Sequence, residues 1–134
     1  MKEKILVRVS DVMRDNFTVI DGFTTVKDAL DKMVETNSRT LIVDKRDQDD
    51  EYGIILLSDI AKKVLAKDKA PDRVNTYEIM SKPVISLRPE MDVRYCARFF
   101  DNFGISMAPV IKDEKVIGMV GYHELVLKGL LTNC

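Results

Sequence analysis

The chain has 134 residues, 46% of them apolar, with 21 basic and 22 acidic side chains and a formal net charge of −1. That length suits one compact domain or two tightly joined subdomains, and a balanced charge recommends neither nucleic acid nor an anionic membrane as partner. No apolar run reaches membrane-spanning length and Met1–Ile5 lacks an apolar signal core, so a cytoplasmic location is expected.

In chain order, Ser10–Met13 reads as a short helical turn with Ser10 as its cap. Phe17-Thr18-Val19-Ile20 is a β-branched and aromatic run, a strand, and Asp21-Gly22 turns the chain. Thr25 to Asp28 has the form of a helix start. Val26, Ala29, Leu30, Met33 and Val34 then recur at the spacing of one buried helical face. Thr40–Val43 and Gly53–Leu57 read as strands joined by a polar hairpin loop over 44–52. The acids of that loop lack the glycine and terminal acid of a calcium loop. Ser58-Asp59 is expected to cap a closing helix that runs to about Ala66. The basic stretch from Lys62 to Arg73 reads as an exposed helix and joint, with Pro71-Asp72 separating segments 1–70 and 71–134.

The second segment gives a strand at Pro83–Leu87 and a helix capped by Asp92. That helix has an apolar face of Val93, Cys96, Ala97, Phe100 and Phe103 and a glycine stop at Gly104. Met107–Ile111 and Val116–Val120 flank the turn Lys112–Lys115, and Tyr122–Leu131 closes the fold. Phe99 lies off the apolar stripe and is a candidate interface anchor. Cys96 falls on the stripe as a small buried hydrophobe, and Cys134, the last residue, is expected to fray. Two cysteines make no disulfide framework. His123 is the single histidine, which leaves no material for a histidine-rich metal site or a His-dependent triad.

The two segments say the same thing. Val9-Ser10-Asp11-Val12-Met13 returns 67 positions later as Thr76-Tyr77-Glu78-Ile79-Met80. Val26, Ala29 and Leu41-Ile42-Val43 match Val93, Cys96 and Ala108-Pro109-Val110 at the same offset, and Gly53-Ile54-Ile55 matches Gly118-Met119-Val120 at an offset of 65. The expected fold class is α/β (α+β): two β-α-β-β-α repeats packed about a pseudo-twofold axis, each with a right-handed parallel crossover and a hairpin. Function is to be sought in the clefts between the repeats.

The order apolar-x-acid-apolar-Met, strand, amphipathic helix, apolar strand, then glycine with an acid six residues on, resembles the cystathionine-β-synthase-type (CBS) domain. Two in tandem resemble a Bateman module. The resemblance runs from about Val9 to Val126. It implies a regulatory module that binds adenosine-containing ligands in two inter-repeat clefts and pairs into a flat disc. In the family's ligand strand an acid holds the ribose hydroxyls and preceding hydroxyl side chains meet phosphate. Repeat one keeps Ser58 and Asp59 but has Leu56 at the first hydroxyl position. Repeat two has Gly121, Tyr122, His123 and Glu124, so both hydroxyls are lost. The family's basic residue, three before the second-strand proline, is Arg39 in repeat one. Repeat two has Ser106 there, counted back from Pro109.

The chemistry of these residues agrees. A carboxylate accepts from two vicinal hydroxyls, a helix N-terminus suits phosphate, and an arginine fork takes phosphate bidentately. Thr18, Val19 and Ile20, or Val84, Ile85 and Ser86, would give backbone edges and an apolar wall for adenine. Each residue also has a plainer account: Asp59 and Glu124 as first-turn helix acids, Ser58 as an ordinary cap, Arg39 as a solvated charge.

The expectation is therefore a stand-alone regulatory sensor, not an enzyme, with no catalytic residues, no metal and no required cofactor. Its ligand is AMP, ADP, ATP, S-adenosylmethionine or a similar adenosine compound, its partner an unidentified regulated protein, and its state a homodimer through faces within Val26–Met33 and Tyr95–Phe103. The alternative is a ligand-free structural dimerisation adaptor.

Overall fold

The computed structural model describes residues 6–132, so the expectations for Met1–Ile5 and Cys134 lie outside the described residues. The fold is mixed α/β. Helix α1 (Val9–Val12) precedes strand β1 (Val19–Ile20), helix α2 (Val26–Thr36) and strands β2 (Thr40–Val43) and β3 (Gly53–Leu56). A closing helix follows as α3 (Leu57–Ile60) and a π-helical stretch, Ala61–Leu65. The second copy supplies α4 (Val93–Phe103), β4 (Met107–Lys112), β5 (Lys115–Gly121), a π-helical stretch at Glu124–Lys128 and α5 (Gly129–Thr132). No described helix is long and apolar enough to cross a membrane.

The first sheet has the order β1-β2-β3, with β1 parallel and β3 antiparallel to β2. The second is the antiparallel hairpin β4-β5. Its tight turn places Asp113 and Glu114 at positive φ (51° and 66°), the twist that two-residue hairpins need.

The expected strand at Pro83–Leu87 does not form as a strand. Leu87 alone bridges to Val110, with the Leu87 N–H donating to the Pro109 carbonyl at 2.9 Å. The reason is legible in the partner strand. In the first copy the Ile42 N–H donates to the Thr18 carbonyl at 3.0 Å and extends the ladder. Pro109 stands where Ile42 does and has no N–H to give the equivalent carbonyl of Ile85. The first copy's strand is also shorter than the Phe17–Ile20 expected, Val19–Ile20, and its third strand ends at Leu56.

Helix starts follow their caps. Thr25 Oγ1 accepts the Asp28 N–H at 3.2 Å, and Asp92 Oδ1 accepts the Arg94 N–H at 2.8 Å. The Arg94 guanidinium, hydrogen-bonded to Asp92, holds that carboxyl below its usual range. Gly104 ends α4 in the left-handed region (φ 65°), as does Asn37 for α2 (φ 52°). The buried stripes are narrower than expected: Val34 is 83% and Phe103 60% exposed, whereas Phe99 packs half-buried on the core. Phe99 packs one side against the core, and its ring lies 4.6 Å from that of the exposed Phe103.

Two compact units result. One is Phe17–Val84; the other joins the leading segment up to Asn16 to the chain from Ile85 onward. The sequence halves and the compact units are thus different divisions of the chain. The leading segment of each copy docks on the other copy's helix and hairpin. The Val93 N–H donates to the Val7 carbonyl at 3.0 Å, and the Val26 N–H to the Val74 carbonyl at 2.8 Å. Arg14 bridges to Met119, and Ser81 bridges to Ile54. The repeated methionine and glycine meet across this exchange. A Cβ at Gly118 would come 2.5 Å from the Met13 sulfur, and one at Gly53 would come 2.6 Å from that of Met80. Each unit has its own core, built on equivalent positions: Val26, Ala29, Met33, Leu41 and Val43 in one, Val93, Cys96, Phe100, Ala108 and Val110 in the other. Burial pushes the Cys96 thiol up to about 11, as expected of a small hydrophobe inside a core.

Candidate functional site

Four expected site residues lie at one end of the three-stranded sheet. β1 and β2 run parallel, so Thr18 and Arg39 both lie at their amino ends, and antiparallel β3 brings its carboxyl end, with Ser58 and Asp59, to the same place. The Leu57 N–H donates to the Arg39 carbonyl at 3.2 Å, which ties the start of α3 to the start of β2. Arg39 and Ser58 are exposed and Asp59 is half-buried. Val19 is 42% exposed, while Ile20 belongs to the core, and the Ile20 carbonyl accepts the Asp44 N–H at 2.8 Å.

Ser58 is not the helix cap. α3 begins at Leu57, and Asp59 reaches back so that Oδ2 accepts the Leu56 N–H at 2.9 Å. Ser10 is likewise displaced: the Arg8 N–H donates to Asp11 Oδ2 at 2.9 Å. The physical reason is the same in both. A short helix has several free amides at its start, and an acid in the first turn satisfies one of them while meeting the positive end of the dipole. The second copy repeats both devices, with the Asn75 N–H on Glu78 Oε2 and the Gly121 N–H on Glu124 Oε1, each at 2.7 Å. The plainer account of Asp59 and Glu124 is therefore correct as far as one oxygen of each goes. The other Asp59 oxygen, Oδ1, lies 3.9 Å from Lys63 Nζ.

In the second unit Glu124 is 4% exposed, and its Oε2 lies 3.7 Å from Arg14 Nε. Sequence reasoning missed Arg14. The signal was available: Arg14 follows the repeated methionine, and Ser81 stands in that place in the other copy. Pro109 is buried and Ser106 exposed. Gly121 is explained by packing. A Cβ there would come 2.8 Å from the Met107 methyl, because Met107 faces Gly121 across the ladder. Ile85 is 39% exposed. Val84 falls in the other unit, its N–H on the Tyr52 carbonyl at 3.0 Å. No group of three or more His, Cys, Asp or Glu among the described residues could hold a metal ion.

The CBS domain profile matches residues 9–66 and 77–129. The chain belongs to the CBS domain family. A cyanobacterial hexameric CBS-CP12 protein superposes with a TM-score of 0.90 at 35% identity, covering 95% of this chain and 73% of that one. The CBS domain pair of protein MJ0100, solved with 5′-methylthioadenosine and S-adenosyl-L-methionine, superposes with a TM-score of 0.79 at 25% identity, covering 96% of this chain and 98% of that one. Among curated relatives, a homoserine O-acetyltransferase of Methanosalsum zhilinae is 34% identical over 89% of this chain. The match spans only 23% of that protein's length. The mitochondrial CBS domain-containing protein CBSX3 of Arabidopsis thaliana is 30% identical over 88% of this chain and 62% of its own length.

Proposed function

We propose that this CBS pair is a regulatory, non-catalytic module that binds an adenosine-containing ligand at the Arg39–Ser58–Asp59 end of the first unit and signals to a partner protein. The observation that carries the reading is the gathering of Thr18, Arg39, Ser58 and Asp59 at one sheet end. There Asp59 keeps one oxygen off the backbone and Arg39 stands exposed. Asp59 Oδ1 would accept from ribose, Arg39 and Ser58 would meet phosphate, and the outer edge of β1 at Val19 would meet adenine. The adenosine compounds bound by the MJ0100 pair support that ligand class. Glu124, with one oxygen on Gly121 and the other near Arg14, is the weaker candidate, and Ser106, Pro109 and Ile85, at the positions of Arg39, Ile42 and Thr18 in the other copy, would make a site altered from the first.

A thermal-shift panel of AMP, ADP, ATP, S-adenosylmethionine and cyclic dinucleotides tests this. At a hundred times the dissociation constant, occupancy adds about 2.7 kcal/mol, roughly 5–10 °C for a chain of this size. Asp59→Ala should weaken the responding ligand about tenfold or more, and Glu124→Ala much less. Arg39→Ala should weaken phosphorylated ligands and spare adenosine. A flat panel favours the second reading, a ligand-free adaptor. Leu56 at the first hydroxyl position and the capping duty of Asp59 are the observations on its side.

The module is proposed to be a homodimer. α4 carries Tyr95, Phe99 and Phe103 in one i, i+4, i+8 stripe, with Tyr95 58% and Phe103 60% exposed. The equivalent positions of α2 are Asp28, Lys32 and Thr36, so α4 rather than α2 is the contact face. The hexameric CBS-CP12 protein shows that a relative assembles. Light scattering should give a mass of twice 15.3 kDa or a higher multiple, falling to the monomer in Phe103→Lys. A monomer throughout overturns the claim.

A further inference from the structure

We propose a second binding site, in the same unit as Asp59 but at the opposite end of its sheet, that takes a small planar aromatic anion. It does not rest on the adenosine reading. A cavity of about 650 Å³ opens beyond the carboxyl ends of the parallel strands β1 and β2, wholly within Phe17–Val84. Parallel strands leave such a crevice when their chains depart into different loops. Here β1 departs into the turn at 21–23 and β2 into the long loop 44–52. None of the residues assigned to adenosine lines it.

One wall is aromatic. Phe23 is 70% and Tyr77 48% exposed, and their rings meet edge to face with centroids 5.5 Å apart. The Met80 thioether continues the wall. Backbone hydrogen bonds hold it in place. The Tyr77 N–H donates to the Gly22 carbonyl at 3.0 Å, and the Phe23 N–H donates to Asp21 Oδ1 at 2.7 Å. Thr76, fully buried, donates its hydroxyl to the Gly22 carbonyl at 3.0 Å. Two open aromatic rings fixed in this way are a surface formed before a ligand arrives.

The other wall carries the cations Lys45, Arg46 and Lys82 beside the acids Asp21 and Asp44, a net positive lining, and its three cations differ. Lys82 Nζ lies 2.6 Å from Asp50 Oδ1, and Arg46 Nε lies 3.3 Å from Asp50 Oδ2, so a single carboxylate holds both. Lys45 has no carboxylate partner among the described residues, and its ammonium stands 5.0 Å from the Tyr52 ring centroid. The lining acids Asp21 and Asp44 each turn one oxygen to a neighbouring backbone N–H. The site therefore offers a ring-binding wall and one ammonium that has an aromatic neighbour but no carboxylate partner among the described residues. A planar ring with one negative charge satisfies both. A neutral ring leaves Lys45 unmatched, and a polyanion must break the Asp50 pairs. Aromatic carboxylates and aromatic phosphodiesters, each with a single negative charge, share this chemistry.

The chain contains no tryptophan, so indole-3-acetate reports its own binding by fluorescence anisotropy. We expect a saturable rise, an affinity about tenfold lower in Lys45→Gln and in Phe23→Ala, and about tenfold weaker binding of the neutral indole-3-ethanol. Phe23 is exposed and Lys45 half-buried, and an unchanged melting temperature confirms that each variant folds. Asp59→Ala should leave the titration unchanged, which separates this site from the adenosine site. Displacement by methyl phenyl phosphate, a singly charged diester, at lower concentration than by phenylacetate assigns a phosphodiester ligand, and the reverse order a carboxylate. No saturable change, equal affinity for the neutral alcohol, indifference to both Lys45→Gln and Phe23→Ala, or loss of binding in Asp59→Ala overturns the proposal.

Discussion

The Thr40–Leu56 rung of one unit and the Met107–Gly121 rung of the other hold the same place in the ladder and divide their volume in opposite ways. The acids that follow differ as well. Asp59 is half-buried near Lys63 Nζ at 3.9 Å, whereas Glu124 is buried against Arg14 at 3.7 Å. Yet the hydrogen bonds that start both closing helices, and the glycine under each methionine, are kept. The difference teaches which positions the duplicated fold requires. The backbone devices and the apolar character of the core positions are common to both units, while core volumes and the polar groups at the sheet end differ. Glu124 has both oxygens engaged, one on the Gly121 N–H and one near Arg14, while the second oxygen of Asp59 has, among the described residues, only Lys63 Nζ at 3.9 Å.

The two cores offer the largest test of that equivalence. Phe100 is fully buried and also meets Tyr122 edge to face at 5.4 Å; its counterpart Met33 is 4% exposed. Phe100→Ala should cost about 3–5 kcal/mol and Met33→Ala about 2–4, read by urea denaturation. Equal losses would mean that the aromatic contact adds nothing. Next come the glycines. A Cβ at Gly118 lies 2.8 Å from the Arg14 carbonyl as well as against the Met13 sulfur, and a main-chain oxygen yields less readily than a thioether. At Gly53 the nearest main-chain atom, the Ser81 oxygen, stands off at 3.3 Å. Gly118→Ala should therefore lower stability by about 1–3 kcal/mol, and Gly53→Ala by less. The opposite order would show that the two exchanges are not built alike.

Most of this plan was legible in the sequence because it rests on local rules. The caps at Thr25 and Asp92, the stop at Gly104, the strand Thr40–Val43 and the core stripes each follow from a few adjacent residues. The family likeness also stood in the order of the motifs and is met by the profile match. What stayed hidden depends on which segment packs where. Two repeats in a line give no sign that each leading segment crosses to the other copy. Without that crossing, Arg14 could not be placed beside Glu124, nor the glycines explained by methionines far away in sequence. The lost strand at Pro83–Leu87 is a further case, since its cause lies in Pro109 on the neighbouring strand. The candidate site was legible in position and not in duty: Ser58 was given the capping role that Asp59 performs.

The acids sharpen the comparison further. Glu124→Gln keeps an acceptor for the Gly121 N–H but removes a buried charge that faces Arg14, and should cost about 1–2 kcal/mol. Asp59→Asn keeps the same kind of acceptor and loses only a loose pair with Lys63, whose ammonium also has the Ile79 carbonyl at 3.0 Å, at a cost below about 1 kcal/mol. Denaturation midpoints decide the order. If Asp59→Asn proves the more damaging, Asp59 is the structural acid and the ranking of the two ends reverses.

The hairpin loops give the smallest effect and the only one with a pH signature. The second copy joins β4 to β5 through Asp113 and Glu114, whereas the first uses 44–52, in which Asp50 accepts from Lys82 and Arg46. The Lys82 ammonium, hydrogen-bonded to Asp50, holds that carboxyl well below its ordinary range. A carboxyl depressed on folding contributes stability that is complete above its unfolded value and is lost as pH falls toward the folded one. Asp50→Asn should therefore lower the melting temperature at neutral pH. The gap between wild type and variant should close as pH falls from about 4, where a free aspartate begins to protonate. The outer parts of this pair are open to solvent, so salt should narrow the gap as well. A gap of constant size from neutral to acid pH would mean that the loop is held by its backbone turns rather than by the Asp50 charge, leaving Lys82 and Arg46 free for other partners.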